Sequence, residues 1–125
     1  MFPWADLTNS SDSFMSNERR DVLSREGLSR SAVAYAGDCD LKMPLVSPLY
    51  GSFAGFPRTL VVVGTHDSLL DDSRKVSARM CAAGVDATLV ETADGIHGFI
   101  LLPVPESKEA RRQISSFVGA ALSDQ

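Results

Sequence analysis

Two residues of this chain have the types and surroundings for acid–base chemistry, Asp67 and His97. Asp67 stands just past an apolar, β-branched run, Leu60-Val61-Val62-Val63, that Gly64 closes. His97 lies in Gly95-Ile96-His97-Gly98-Phe99, after a shorter alternating run. An Asp that orients a His is two-thirds of a nucleophile–base–acid triad. Taken singly, each residue has a plainer reading. An Asp after a strand-ending Gly serves as turn chemistry or as a helix cap. Asp71, four positions on, fits the charged first turn of a helix, and a lone His is commonly structural. The elements between them favour the joint reading. Strand, acid on the turn, helix, strand and histidine on the next turn make a βαβ unit, and in open parallel sheets ligands gather at the carboxyl ends of the strands. The acid and the histidine are therefore expected to meet, whereas His66, beside Asp67, points elsewhere from an extended turn.

The third member of a triad is missing. A catalytic serine on a strand–helix elbow needs Gly-x-Ser-x-Gly, so that the strained turn fits and Oγ is exposed. Gly51-Ser52-Phe53-Ala54-Gly55 is the nearest run, but its spacing is wrong and no buried strand precedes it. No glycine-rich oxyanion segment follows a histidine. Cys39 and Cys81 have neither elbow context nor metal-ligand spacing. Cys81, beside Met80 and Ala82 in a helical stretch, is expected to be a buried free thiol. No metal or cofactor is expected, and the reduced cytoplasm is the expected compartment.

Several elements must position the pair. Residues 1–16 mix aromatics, proline and a Ser/Asn/Asp cluster and read as a loop, with Phe2 and Trp4 lacking a periodic element to pack on. Residues 17–37 are helical in pattern, with Ser24 as N-cap, Leu28, Ala32 and Tyr35 on one face, and Gly37 closing the helix. Residues 38–58, rich in Pro and Gly, read as an extended connection with a short turn. Thr59–Val63 is a strand apolar on both faces, as in the interior of a parallel sheet. Ser68 is the expected cap of the next helix, Asp71 and Asp72 complement its dipole, and Leu69, Val76, Met80 and Ala83 form its apolar stripe before Gly84. Ala87–Thr92 is an expected edge strand. Ser107 is placed as the cap of a last helix whose face is Ala110, Ile114, Phe117, Val118, Ala121 and Leu122.

The bulk properties exclude several classes. A chain of 125 residues is one small domain, with no internal repeat or dividing linker. A formal charge of −4 and the lack of a basic block argue against a nucleic-acid partner. No apolar run approaches the roughly 18 residues of a membrane span, and the start, MFPWADLTNSSDS, shows no basic-then-apolar secretory pattern.

The combination of stretches resembles the C-terminal part of an α/β-hydrolase of the hormone-sensitive-lipase-like esterase branch. Pro3-Trp4-Ala5-Asp6-Leu7-Thr8 is similar to the segment after that family's sixth sheet strand. Ser47-Pro48-Leu49-Tyr50 and Gly55-Phe56-Pro57-Arg58-Thr59-Leu60 are similar to its approach to the acid-bearing strand. Val63-Gly64-Thr65-His66-Asp67-Ser68-Leu69-Leu70-Asp71-Asp72-Ser73 resembles the acid turn, Ala82-Ala83-Gly84-Val85 the end of the next helix, and Gly95-Ile96-His97-Gly98-Phe99 the histidine loop. The resemblance implies an α/β fold over residues 1–125, with a parallel strand pair, flanking helices and part of a helical cap. It places the cap-like insert at about 9–46 and the acid- and histidine-bearing βαβα part at 47–125. It further implies a carboxylic ester hydrolase acting on a small acyl ester, with Asp67 as the triad acid and His97 as the general base.

The family's serine elbow and oxyanion glycines have no counterpart here. A separate N-terminal half is expected to supply them, and the chain alone is expected to be inactive. The alternative is a non-catalytic remnant that serves only as a binding or dimerisation surface, with homo-oligomers formed through the last strand and helix.

Overall fold

In a computed structural model the described residues are 2–123. The chain is built around a two-stranded parallel sheet, β1 (Thr59–Gly64) and β2 (Ala87–Thr92), in the register Thr59↔Ala87 to Gly64↔Thr92. Helix α3 (Leu70–Ala82) crosses over one face, and α4 (Pro105–Ser123) covers the other. Before the sheet come a single turn, α1 (Ser13–Ser16), and α2 (Arg25–Ala36). Among the described residues no helix is long and apolar enough to cross a membrane.

The β-branched run of β1 is buried on both faces, because successive side chains of a strand alternate. Val62 packs with Phe99 and with Ala110 of α4. Val61 and Val63, on the α3 side, are wholly buried. On that side Val76 and Met80 of α3 join Ala5, Leu49, Phe53 and Val85. The order strand, helix, parallel strand, helix agrees with the expected parallel strand pair with flanking helices.

Helix α2 begins as expected, with Ser24 Oγ accepting the Gly27 N–H at 3.1 Å, and ends at Gly37, whose φ is +56°. Its buried face is Leu28, Ala32 and Ala36, not Tyr35, which is exposed. The side chains that receive it, Leu7, Val46 and Trp4, select the i, i+4, i+8 row. Residues 17–23, expected to be helical, form turns instead.

Other expectations are corrected. Ser68 does not cap α3: Leu69 is the flanking residue, and its N–H is taken by the Asp67 carboxylate at 2.8 Å. Ser107 lies inside α4, which begins two residues earlier, and its Oγ donates to the Val104 carbonyl. Ala83 falls beyond α3 and is exposed. Cys81 is also exposed, because one step past buried Met80 turns a side chain about 100° around the helix.

Residues 2–12 form a loop, as expected, but a firmly tied one, and 13–16 make the single turn α1. The Asp72 carboxylate accepts the Ala5 and Asp6 N–H groups, each at 2.9 Å, and the Ser11 hydroxyl at 3.0 Å. Asp71 accepts the Ser13 N–H at 2.9 Å. The two acids expected to complement the helix dipole thus also tie the beginning of the chain to α3. Trp4 packs between two apolar clusters, and its indole N–H donates to Asn9. Phe2 lies edge-on to His97 and Phe99.

Candidate active site

Asp67 and His97 come together at the carboxyl end of the sheet. Asp67 follows β1 by three residues and is fully buried; His97 follows β2 by five and is half-buried. The His97 ring directs Nδ1 at the carboxylate, 3.2 Å from Oδ2 and 3.4 Å from Oδ1. The same Oδ1 takes the Leu69 N–H, which fixes the rotamer of the acid. Nε2, on the opposite edge of the ring, makes no hydrogen bond to a described residue. The hydrogen bond to Asp67 raises the imidazole's affinity for a proton above its usual value; burial opposes this, and the charges of Asp67 and Asp21 add to it. A buried carboxylate on Nδ1 fixes the tautomer in which Nε2 can accept a proton.

The backbone around the pair is closely laced. Gly64, the last residue of β1, lies directly against Gly95, and a Cβ at Gly64 would stand 1.9 Å from the Gly95 carbonyl oxygen. The His66 N–H donates to that same oxygen at 2.9 Å, and the Asp94 N–H donates to Thr65 Oγ1 at 2.9 Å. The strand-ending glycine is thus what allows the histidine loop to cross the acid turn.

Two polar residues that sequence reasoning missed come from the turn at 17–21. Asn17 Nδ2 donates to the carbonyls of Thr65 and Asp67 at 3.0 and 2.9 Å. Asp21 accepts the Ser68 N–H at 2.7 Å and the His97 N–H at 2.8 Å. Their spacing in a polar stretch, Asn17-Glu18-Arg19-Arg20-Asp21, carries no signal of its own, since the partners lie 47 or more residues away.

The remaining candidates lie elsewhere. His66 Nε2 is 3.4 Å from Asp94 and 3.5 Å from Arg20, turned away from Asp67. Ser52 sits with Phe53, Arg79 and Ala82 by the C-terminal end of α3, opposite to Asp67. Among the described residues, no serine or cysteine hydrogen-bonds to His97 and no cluster of three His, Cys, Asp or Glu side chains is placed to hold a metal. A cleft of about 460 Å³ lined by Arg58, Leu60, Thr88 and Phe117 opens toward the amino ends of the strands, away from the pair.

The chain as a whole is similar to known proteins. The family described as alpha/beta hydrolase fold matches residues 1–101. An acetyl-hydrolase of Streptomyces hygroscopicus is 31% identical over 98% of this chain and 42% of its own length. An esterase of Acinetobacter venetianus is 34% identical over 94% of this chain and 40% of its own. Among solved structures, a hormone-sensitive lipase from a metagenome library superposes with a TM-score of 0.91 at 32% identity, covering 96% of this chain and 42% of that one. The chain therefore spans about two-fifths of the length of these relatives.

Proposed function

Since the chain belongs to the α/β-hydrolase-fold family, we propose that it serves carboxylic ester hydrolysis, supplying Asp67 and His97 as acid and general base of a Ser-His-Asp triad. The observation that carries this is the His97 Nδ1 contact of 3.2 Å to a carboxylate with no exposed surface, with Nε2 unbonded among the described residues. The serine and the oxyanion donors come from a separate N-terminal half. His97 Nε2 takes the proton of that serine as it attacks the ester carbonyl, then returns it to the departing alcohol. Asp67 holds the tautomer and stabilises the imidazolium that forms between the two transfers. The segment 9–46 acts as part of a cap over the acyl or alcohol pocket. The names of the relatives, an acetyl-hydrolase and an esterase, favour a small acyl ester as substrate. Free, exposed cysteines agree with a reducing cytoplasm.

The test is reconstitution. The chain is co-expressed with an N-terminal α/β-hydrolase half carrying a Gly-x-Ser-x-Gly elbow and an oxyanion segment, and hydrolysis of p-nitrophenyl acetate is followed. Activity in the pair and only the slow turnover of an exposed imidazole in the isolated chain are expected. Equal rates with and without the added half would overturn the proposal. A second reading, a non-catalytic dimerisation module, is favoured by Val118 and Leu122 of α4, which are 48% and 67% exposed. It predicts a concentration-dependent dimer and no gain of activity on reconstitution.

A further inference from the structure

We propose that Asp21 is a positioning residue that locks the acid turn to the histidine loop. The inference rests on the reading of Asp67 and His97 as acid and base and adds a third carboxylate to their machinery. One Asp21 oxygen accepts the N–H of Ser68, the residue directly after the acid, at 2.7 Å. The other accepts the N–H of His97 itself at 2.8 Å. These are short, charge-assisted hydrogen bonds, about twice as strong as neutral ones. A single rigid carboxylate therefore sets the distance between the two backbone segments from which the acid and the base project. The side-chain contact depends on that distance, since Nδ1 and Oδ2 meet at 3.2 Å, the upper end of a normal hydrogen bond.

Asp21 is itself held. Its N–H and that of Arg20 both donate to the Asn17 carbonyl, at 3.0 and 2.8 Å. The Asn17 side chain grips the Thr65 and Asp67 carbonyls. The turn at 17–21 thus donates to the acid turn through Asn17 and accepts from both loops through Asp21. The carboxylates that face His97 are those of Asp67 and Asp21, with the Phe2 ring edge-on beside them. The negative charge of Asp21 also favours the protonated imidazole. Its effect on the base is both geometric and electrostatic, and it comes from the segment assigned to the cap.

The experiment uses the full chain and NMR of nitrogen-labelled protein, with Asp21→Asn, Asp67→Asn and, as a control, Glu18→Gln, another acid of the same turn. The Asn side chain has one acceptor oxygen and turns its NH₂ toward the second donor, so at most one of the two N–H groups stays satisfied. Asp21→Asn should speed amide exchange at Ser68 or His97, or at both, by about ten- to a hundredfold. Val62 exchange should be unchanged. The His97 titration midpoint should fall in Asp21→Asn and stay put in Glu18→Gln. Unchanged exchange at both amides, or an unchanged His97 midpoint, would overturn the proposal. Should Asp21→Asn fail to fold, scalar couplings across the hydrogen bonds in the unsubstituted chain decide instead. Couplings from both the Ser68 and His97 nitrogens to the Asp21 carboxyl carbon support the clamp, and the absence of either overturns it. The underlying reading fails separately: a His97 midpoint that ignores Asp67→Asn removes the acid–base pair, whereas one that answers to Asp67 and ignores Asp21 removes only the positioning role.

Discussion

Replacing Gly64 with alanine drives a methyl group into the histidine loop. Its Cβ would lie 1.9 Å from the Gly95 carbonyl oxygen and 2.2 Å from the carbonyl carbon, where ordinary contact begins at 3.4 Å. The obstruction is backbone, so a rotamer change cannot relieve it. Either the end of β1 or the loop carrying His97 must move, by about 1.5 Å (3.4 − 1.9). Overpacking of this kind costs about 1–3 kcal/mol. At about 4 °C per kcal/mol for a chain of this size, the melting temperature should drop by about 4–12 °C. The Nδ1–Oδ2 contact of 3.2 Å has little length to spare, so the same displacement breaks it. The His97 titration midpoint should then fall, because the partner that raises it withdraws while burial, which lowers it, remains. Gly119→Ala in α4 is the control. A Cβ there meets nothing within 4 Å, and replacing a mid-helix glycine should stabilise by about 0.5–1 kcal/mol. Thermal melting together with histidine NMR titration makes the measurement. A Gly64→Ala chain with unchanged melting and an unchanged His97 midpoint would refute the close crossing of the two loops.

Three further outcomes are expected. His97 binds its proton more tightly in the folded chain than in the unfolded one, so the stability from the Asp67 pair is complete below the unfolded value of about 6.5 and is lost as pH rises through the raised folded value. The urea midpoint should be lower at about pH 9 than at about pH 6, and the part due to this pair should vanish in His97→Gln. Asp72→Ala strands the Ala5 and Asp6 N–H groups and the Ser11 hydroxyl, and should cost about 2–4 kcal/mol in urea denaturation. Cys81, exposed on α3, should react with a maleimide in the native chain; labelling only after denaturation would mean that α3 is rotated on the sheet.

Much of the fold was legible because its signals are local. The Leu60–Val63 run, the Ser24 cap and the periodicity of α3 each lie within a few residues, and the topological rule for parallel sheets then places Asp67 and His97 at one end. What escaped is held by long-range polar contacts. Asp72 looks like an ordinary first-turn acid, and nothing in its neighbours announces that it gathers backbone N–H groups 66 and 67 residues away. Asn17 and Asp21 read as surface polar residues for the same reason. Ser68 and Ser107 were plausible caps by type, but the helix starts fell at Leu70 and Pro105, where the Asp67 carboxylate and a proline already meet the needs of the first turn. Cys81 and Tyr35 show that the width of an apolar face is decided by what packs against it, not by composition.

His97, oriented by Asp67, is proposed to be the base that activates a serine supplied by another segment. The most direct test compares His97→Ala with His66→Ala in the reconstituted pair, using p-nitrophenyl acetate turnover. His97→Ala should abolish the activity gained on reconstitution, while His66→Ala, whose ring faces Asp94 and Arg20, should leave most of it. Activity that survives His97→Ala and is lost with His66→Ala would contradict the account and place the base on the other loop.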